Sequence, residues 1–190
     1  MGRAFFITHP EVVVDPSVPV PRWHLSDRGI ARMRGFAALP ELDRISAIWS
    51  SGETKAIEAA GILAGRLGLP TGIEPDLHEN DRDATGFLPP PEFEAMADAF
   101  FARPDESVRG WERASDAQRR VSEAVDRILS GFPGGDIAIV AHGGVGTLLL
   151  CRYLAVPIDR RRDQPFQGHY WVFDTGTRAV VETWRPIAPR

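Results

Sequence analysis

Apolar residues along this chain fall into two kinds of run, and the kinds alternate. Ala4–Thr8 (AFFIT), Ile45–Trp49 and Ile137–Ala141 are short and nearly unbroken by polar residues. That is how strands buried on both faces of a parallel sheet read. Between them lie segments with helical spacing. Ser26 is a good N-cap for DRGIARMRGFAAL, in which Ile30, Met33, Phe36 and Ala37 share a face. Thr54 to Leu67 places Ile57, Ala60, Leu63, Ala64 and Leu67 on one face and stops at Gly68. Thr71–Glu74 supplies a further strand. The alternation predicts an α/β fold of three layers, α/β/α, with a mostly parallel central sheet flanked by helices.

The rhythm breaks at Leu77–Pro91, LHENDRDATGFLPPP, which is polar and too long for a routine connection, and so is a candidate functional loop. Helices are expected near Glu92–Phe101 and Ser115–Leu129, partly capping a pocket. Tyr170–Asp174 and Ala179–Trp184 are expected to close the sheet around a turn at Thr175-Gly176. The reading is a single domain over residues 1–190, with a loop and helical cap insert at about 77–131.

The most informative stretch is Asp136–Thr147, DIAIVAHGGVGT. A buried strand ends at His142, two glycines follow, and Val145 to Leu154 can coil as a helix. An imidazole then stands at the strand's carboxyl end, and the first-turn N–H groups of the helix point into the same space. His9 ends the first strand in the same way, since Pro10 cannot continue a ladder. If the two strands are neighbours, both rings face one cleft at the edge where open α/β sheets bind ligands.

Other chemistries fit less well. Gly144-Val145-Gly146 lacks the third glycine of a dinucleotide fingerprint, and the chain has no GKS or GKT and no Gly-x-Ser-x-Gly. His9, His142 and Glu79 form no paired metal spacing such as HExxH. Hydrophobic content of 43% in 190 residues supports a large core, and a net charge of −4 gives no electrostatic case for nucleic acid or an anionic membrane. The apolar run in MGRAFFITHP is too short for a signal peptide or a span. With a single cysteine, the expectation is a cytoplasmic protein. Of 22 basic side chains, only Lys55 is a lysine.

Taken in order, strand–His9, Leu25-Ser26-x-x-Gly29, Ser50-Ser51-x-x-x-Lys55-Ala56-x-Glu58-x-Ala60, Leu77-x-Glu79 and Ala141-His142-Gly143-Gly144 resemble the histidine phosphatase superfamily, the phosphoglycerate-mutase-like enzymes. The resemblance spans nearly the whole chain. It implies that His9 is a nucleophile that becomes phosphorylated, that His142 steadies the phosphoryl oxygens, and that Glu79 protonates the leaving oxygen and then activates water. Asp81 is the runner-up acid. It further implies a small phosphorylated substrate, no metal and no cofactor; it leaves oligomeric state open.

The family motif Arg-His-Gly reads Thr8-His9-Pro10 here, and its second arginine is matched by Lys55. A guanidinium grips two phosphate oxygens, whereas a threonine offers one neutral hydrogen bond and a lysine one point charge. The phosphate-binding set is therefore read as Thr8, Lys55 and Gly143, with Arg82 and Arg22 as compensating cations and Arg28, Gln167 and His169 as further candidates. Three readings follow: a phosphomonoester hydrolase, a weakened member that binds an anionic ligand, and an enzyme for a non-phosphate substrate. Restoring arginine at position 8 is expected to raise phosphatase activity if its absence is limiting.

Overall fold

The computed structural model describes residues 2–188. Its six strands are β1 (Arg3–Thr8), β2 (Ile45–Ser50), β3 (Thr71–Ile73), β4 (Asp136–Ala141), β5 (His169–Asp174) and β6 (Val180–Pro186). They form one sheet in the order β3-β2-β4-β1-β5-β6. The β1–β4, β2–β4 and β2–β3 pairs are parallel; the β1–β5 and β5–β6 pairs are antiparallel. Five helices surround the sheet: α1 (Asp27–Ala37), α2 (Thr54–Leu67), α3 (Pro90–Ala102), α4 (Ala114–Ser130) and α5 (Gly143–Tyr153).

Side chains alternate across the sheet with period two, so β1, β4 and β5 each feed two cores. Phe5, Ile7, Ala138, Val140, Tyr170 and Val172 pack with α1 and α2. Phe6, Ile137, Ile139, Trp171 and Phe173 pack with α3, α4 and α5. Each of the valine, isoleucine and phenylalanine side chains among them, buried on folding, contributes about 1.5–3 kcal/mol. This is the expected α/β/α layering.

Three local expectations are corrected. Ile57 does not face the core; it is exposed, and α2 packs through Ala56, Ala59, Ala60 and Leu63. Small residues let this helix lie close to α1 and the sheet. The second segment expected to cap a pocket, α4, is instead a layer helix, burying Ala117, Val121, Ala124, Val125 and Ile128. Finally, α5 starts at Gly143 rather than Val145, because its first N–H groups have a partner, described below.

The register places the site. Thr8 pairs with Ala141 across β1 and β4, and the ladder continues as His9 N–H donates to the Ala141 carbonyl at 3.1 Å. On the other side of β4, Ser51 N–H donates to the Val140 carbonyl at 2.9 Å. The carboxyl ends of β1, β4 and β2 therefore bring His9, His142 and Ser51 side by side.

Candidate active site

The His9 and His142 rings stand edge to face, with centroids 5.3 Å apart. The carbonyl of Pro10 lies 2.9 Å from His9 Nδ1, so that nitrogen carries the hydrogen and Nε2 keeps its lone pair. Replacing glycine by proline after the histidine thus leaves intact the acceptor that fixes the tautomer. His142 is fully buried; its Nε2 lies 2.9 Å from Ser51 Oγ, and its Nδ1 has no partner.

Burial, reinforced by the positive charge of Lys55 and then Arg82, lowers His9 to a pKa of about 4, against the opposing pull of the Pro10 carbonyl and Glu53. Burial likewise pushes His142 well below 6.5, although Glu53 opposes it. Both rings are neutral at neutral pH. In the unfolded chain they take up protons near pH 6.5 that the folded protein refuses. Stability is thus full above that pH and falls as pH drops toward 4, His9 alone accounting for roughly 3 kcal/mol. We expect the His9 ring resonances in an NMR titration to stay unchanged from about pH 8 to pH 5. An inflection near pH 6.5 would contradict this environment.

Glu53, which sequence reasoning missed, lies between His142 and Lys55. Its Oε1 is 3.5 Å from His142 Nε2 and accepts the Glu79 N–H at 2.9 Å; its Oε2 is paired with Lys55 Nζ. Lys55 is only 3% exposed and also donates to the Val20 carbonyl at 2.9 Å. Burial penalises the Glu53 charge, but His142, Lys55 and the Glu79 N–H outweigh it and hold the carboxyl well below the usual range. The cation matched to the family's second arginine is therefore already balanced. A signal was available: Glu53 follows β2 at the same sheet edge as the histidines.

Thr8 is fully buried, and its hydroxyl is committed. It donates to Gln164 Oε1 at 2.6 Å and accepts from the His169 N–H at 3.0 Å. The Gln164 side chain lies against Gly143, where a Cβ would meet its amide. Gln164 is anchored in turn by Asp163, whose Oδ1 accepts both the Gln164 N–H and the Thr147 hydroxyl at 2.7 Å. No local pattern in the sequence marked Gln164. Its position changes the expectation for Thr8→Arg. Alone, the larger side chain collides with Gln164 and should cost about 1–3 kcal/mol with no gain in turnover. Combined with Gln164→Ala, which opens the space, phosphatase turnover should rise, and a kinetic comparison of the two variants checks this.

Glu79 closes the amino end of α5. Its carboxylate accepts the Gly144 and Val145 N–H groups, each at 3.0 Å, and the Asn80 N–H at 3.1 Å. A Cβ on Gly144 would stand 2.7 Å from Glu79 Oε1, so glycine is required for this approach. The surroundings are N–H donors rather than an apolar pocket, which suits an anion at a helix start. Glu53 and Glu79 both belong to the wall of an open cavity of about 650 Å³ between the Pro16–Pro21 loop and the 78–87 loop. Neither histidine is among the lining residues; His142 is linked to the wall through Glu53, 3.5 Å from its Nε2.

Arg82 lines this cavity, with its guanidinium 5.0 Å from the Phe93 ring centroid and 6.0 Å from that of Trp111. Its charge acts on both histidines. Asp81 lies at the exposed mouth, where its carboxylate holds the Asp83 N–H. Arg22 is exposed and not among the lining residues, so the structure does not bring it to the cavity. Arg28 lies 3.7 Å from Glu11, Gln167 gives its carbonyl to Arg32, and His169 packs against Phe166 and Trp184. His24 pairs with Glu58 at 2.6 Å, whereas His78 joins the cavity wall. Among the described residues, no group of three His, Cys, Asp or Glu side chains is arranged to hold a metal ion, and no helix is long and apolar enough to cross a membrane.

A model of the histidine phosphatase superfamily (branch 1) matches residues 20–174. The match begins after the strand that carries Thr8-His9-Pro10. Among solved structures, Bacillus stearothermophilus YhfR superposes with a TM-score of 0.80 at 23% identity, over 96% of each chain. A mycobacterial glucosyl-3-phosphoglycerate phosphatase in complex with inorganic phosphate gives 0.75 at 20% identity, over 97% of this chain and 95% of that one. Comparison with curated proteins gives no match.

Proposed function

The chain belongs to the histidine phosphatase superfamily, branch 1, and from that premise we propose that it hydrolyses small phosphomonoesters through a phosphohistidine on His9. The observation that carries this reading is the His9–His142 pair, with His9 Nδ1 bound to the Pro10 carbonyl and Nε2 bare. A neutral ring with a fixed lone pair is a nucleophile that needs no prior deprotonation. A phosphatase that binds inorganic phosphate shares the fold, which supports the class of reaction and leaves the substrate's organic part open.

In the first step the Nε2 lone pair attacks phosphorus and the ester P–O bond breaks. The leaving oxygen takes a proton, while the Pro10 carbonyl holds the Nδ1–H of the ring as it becomes positive. His142 then meets the transferred phosphoryl group. Its unpartnered Nδ1 can donate to a phosphoryl oxygen once the ring takes a proton, with Glu53 and Ser51 beside Nε2 to accept the second hydrogen. In the second step water attacks phosphorus, the P–N bond breaks, and Glu79 in its carboxylate form takes the proton of the water. For the first step Glu79 must carry a proton and leave the α5 N–H groups, so leaving groups that need no acid should react best.

A second reading, a weakened member that binds an anion, is favoured by one observation. Thr8 and Lys55, which stand where the family has arginines, are committed to Gln164 and Glu53, while Arg82 forms no ion pair among the described residues and is left for an anion. Incubation with 32P-labelled p-nitrophenyl phosphate analogues separates the two. Turnover with an acid-labile, base-stable phosphoprotein supports the hydrolase; phosphate binding with neither supports the binder.

A further inference from the structure

We propose that Asn80 is a substrate-binding residue whose side-chain amide donates to a phosphoryl oxygen, supplying a contact that Thr8 does not make; this rests on the hydrolase reading above. Asn80 is 7% exposed, and its Nδ2 is buried with no hydrogen-bond partner. A buried donor left unpaired is expensive, and native structures rarely keep one without a use. Its backbone N–H is spent on Glu79 Oε1, so the free donor is the side chain.

The position suits an anion. Asn80 lies in the cavity wall between Glu79 and Arg82. On the same loop, Arg82 forms no ion pair among the described residues and stacks its guanidinium on aromatic rings instead. The two side chains together offer a neutral pair of N–H bonds and a cation. The residues that stand where the family has arginines are committed elsewhere: the Thr8 hydroxyl is turned to Gln164, and Lys55 is turned to Glu53. The grip on phosphate thus moves from the strand and helix, where the family's arginines stand, to the loop after Glu79. An amide adds donors without adding charge, so it does not disturb the balance that keeps His9 neutral.

The test uses inorganic phosphate as probe and the full chain, with affinity read by calorimetry and kinetics by p-nitrophenyl phosphate turnover. Asn80→Ala should weaken phosphate binding about tenfold and raise KM more than it lowers kcat. Asn80→Asp, which keeps the shape but replaces donors by a negative acceptor, should weaken it about a hundredfold. Thermal midpoints should stay within about 2 °C of the parent, because the side-chain amide nitrogen loses no bond. If Asn80→Asp binds phosphate as well as the parent does, the proposal is overturned while the hydrolase reading stands. If Asn80→Ala lowers the midpoint sharply with phosphate affinity unchanged, the residue is structural and the proposal again fails. If the parent protein turns over no ester and binds no phosphate at millimolar concentration, the hydrolase reading falls and takes this contact with it.

Discussion

Replacing His9 by alanine lowers phosphomonoester turnover roughly ten-thousandfold and abolishes the labelled phosphoprotein. The ring makes one hydrogen bond to the protein, from Nδ1 to the Pro10 carbonyl, so the variant should fold and its loss should be one of chemistry. No neighbour can stand in for it. His142 is fully buried, and its Nε2 is engaged with Ser51. Removing His142 should therefore be milder, raising the requirement for substrate while leaving a slow reaction at His9. Steady-state kinetics and a chase of the label with unlabelled ester check both. A His9→Ala protein that retains more than a tenth of the activity would place the nucleophile elsewhere.

The second large effect is on stability. Glu53→Gln leaves the Lys55 ammonium buried with no anionic partner, held only by neutral acceptors such as the Val20 carbonyl, and breaking a buried pair in this way costs about 3–5 kcal/mol. For a chain of this size the thermal midpoint should fall by on the order of 10 °C. The same substitution frees a cation beside the two histidines. Inorganic phosphate should then protect the variant more than it protects the parent, because an anion that binds the folded state repairs the lost pairing. Thermal melts of both proteins with and without phosphate read the two effects at once. An unchanged midpoint would mean that Lys55 finds water or another anion, and that the pairing with Glu53 is incidental.

Much of the fold was legible because the pattern was local. The unbroken run before His142, the Ser26 cap and the stop at Gly68 each appear where they were expected; Ser26 Oγ accepts the Gly29 N–H at 3.1 Å, and Gly68 has a φ of 68°. The inward face of α2 was misread because periodicity favoured the larger residue, Ile57, whereas packing favoured the alanines. Within the candidate site, His9 and His142 were expected from the sheet edge, Lys55 and Glu79 from the family resemblance, and Arg82 as one of several candidate cations. Gln164 and Asn80 were not. Both are neutral amides: Gln164 matters through Thr8, distant in sequence, and Asn80 through the cavity that it lines. The Leu77–Pro91 loop, read as a candidate functional loop, does line the cavity; the helices expected to cap it partly are not among its lining residues, and the Pro16–Pro21 loop forms the other wall.

The burial of Lys55 has a practical consequence beyond catalysis. It is the chain's only lysine, and it lies in the first turn of α2 with its ammonium out of reach of solvent. A lysine-specific protease therefore has one bond to cut, Lys55–Ala56, and must wait for the helix to open. When reclosing outpaces cleavage, the cutting rate reports how often this corner of the molecule comes apart. The distribution of one residue type has left the protein with a built-in gauge of its own site.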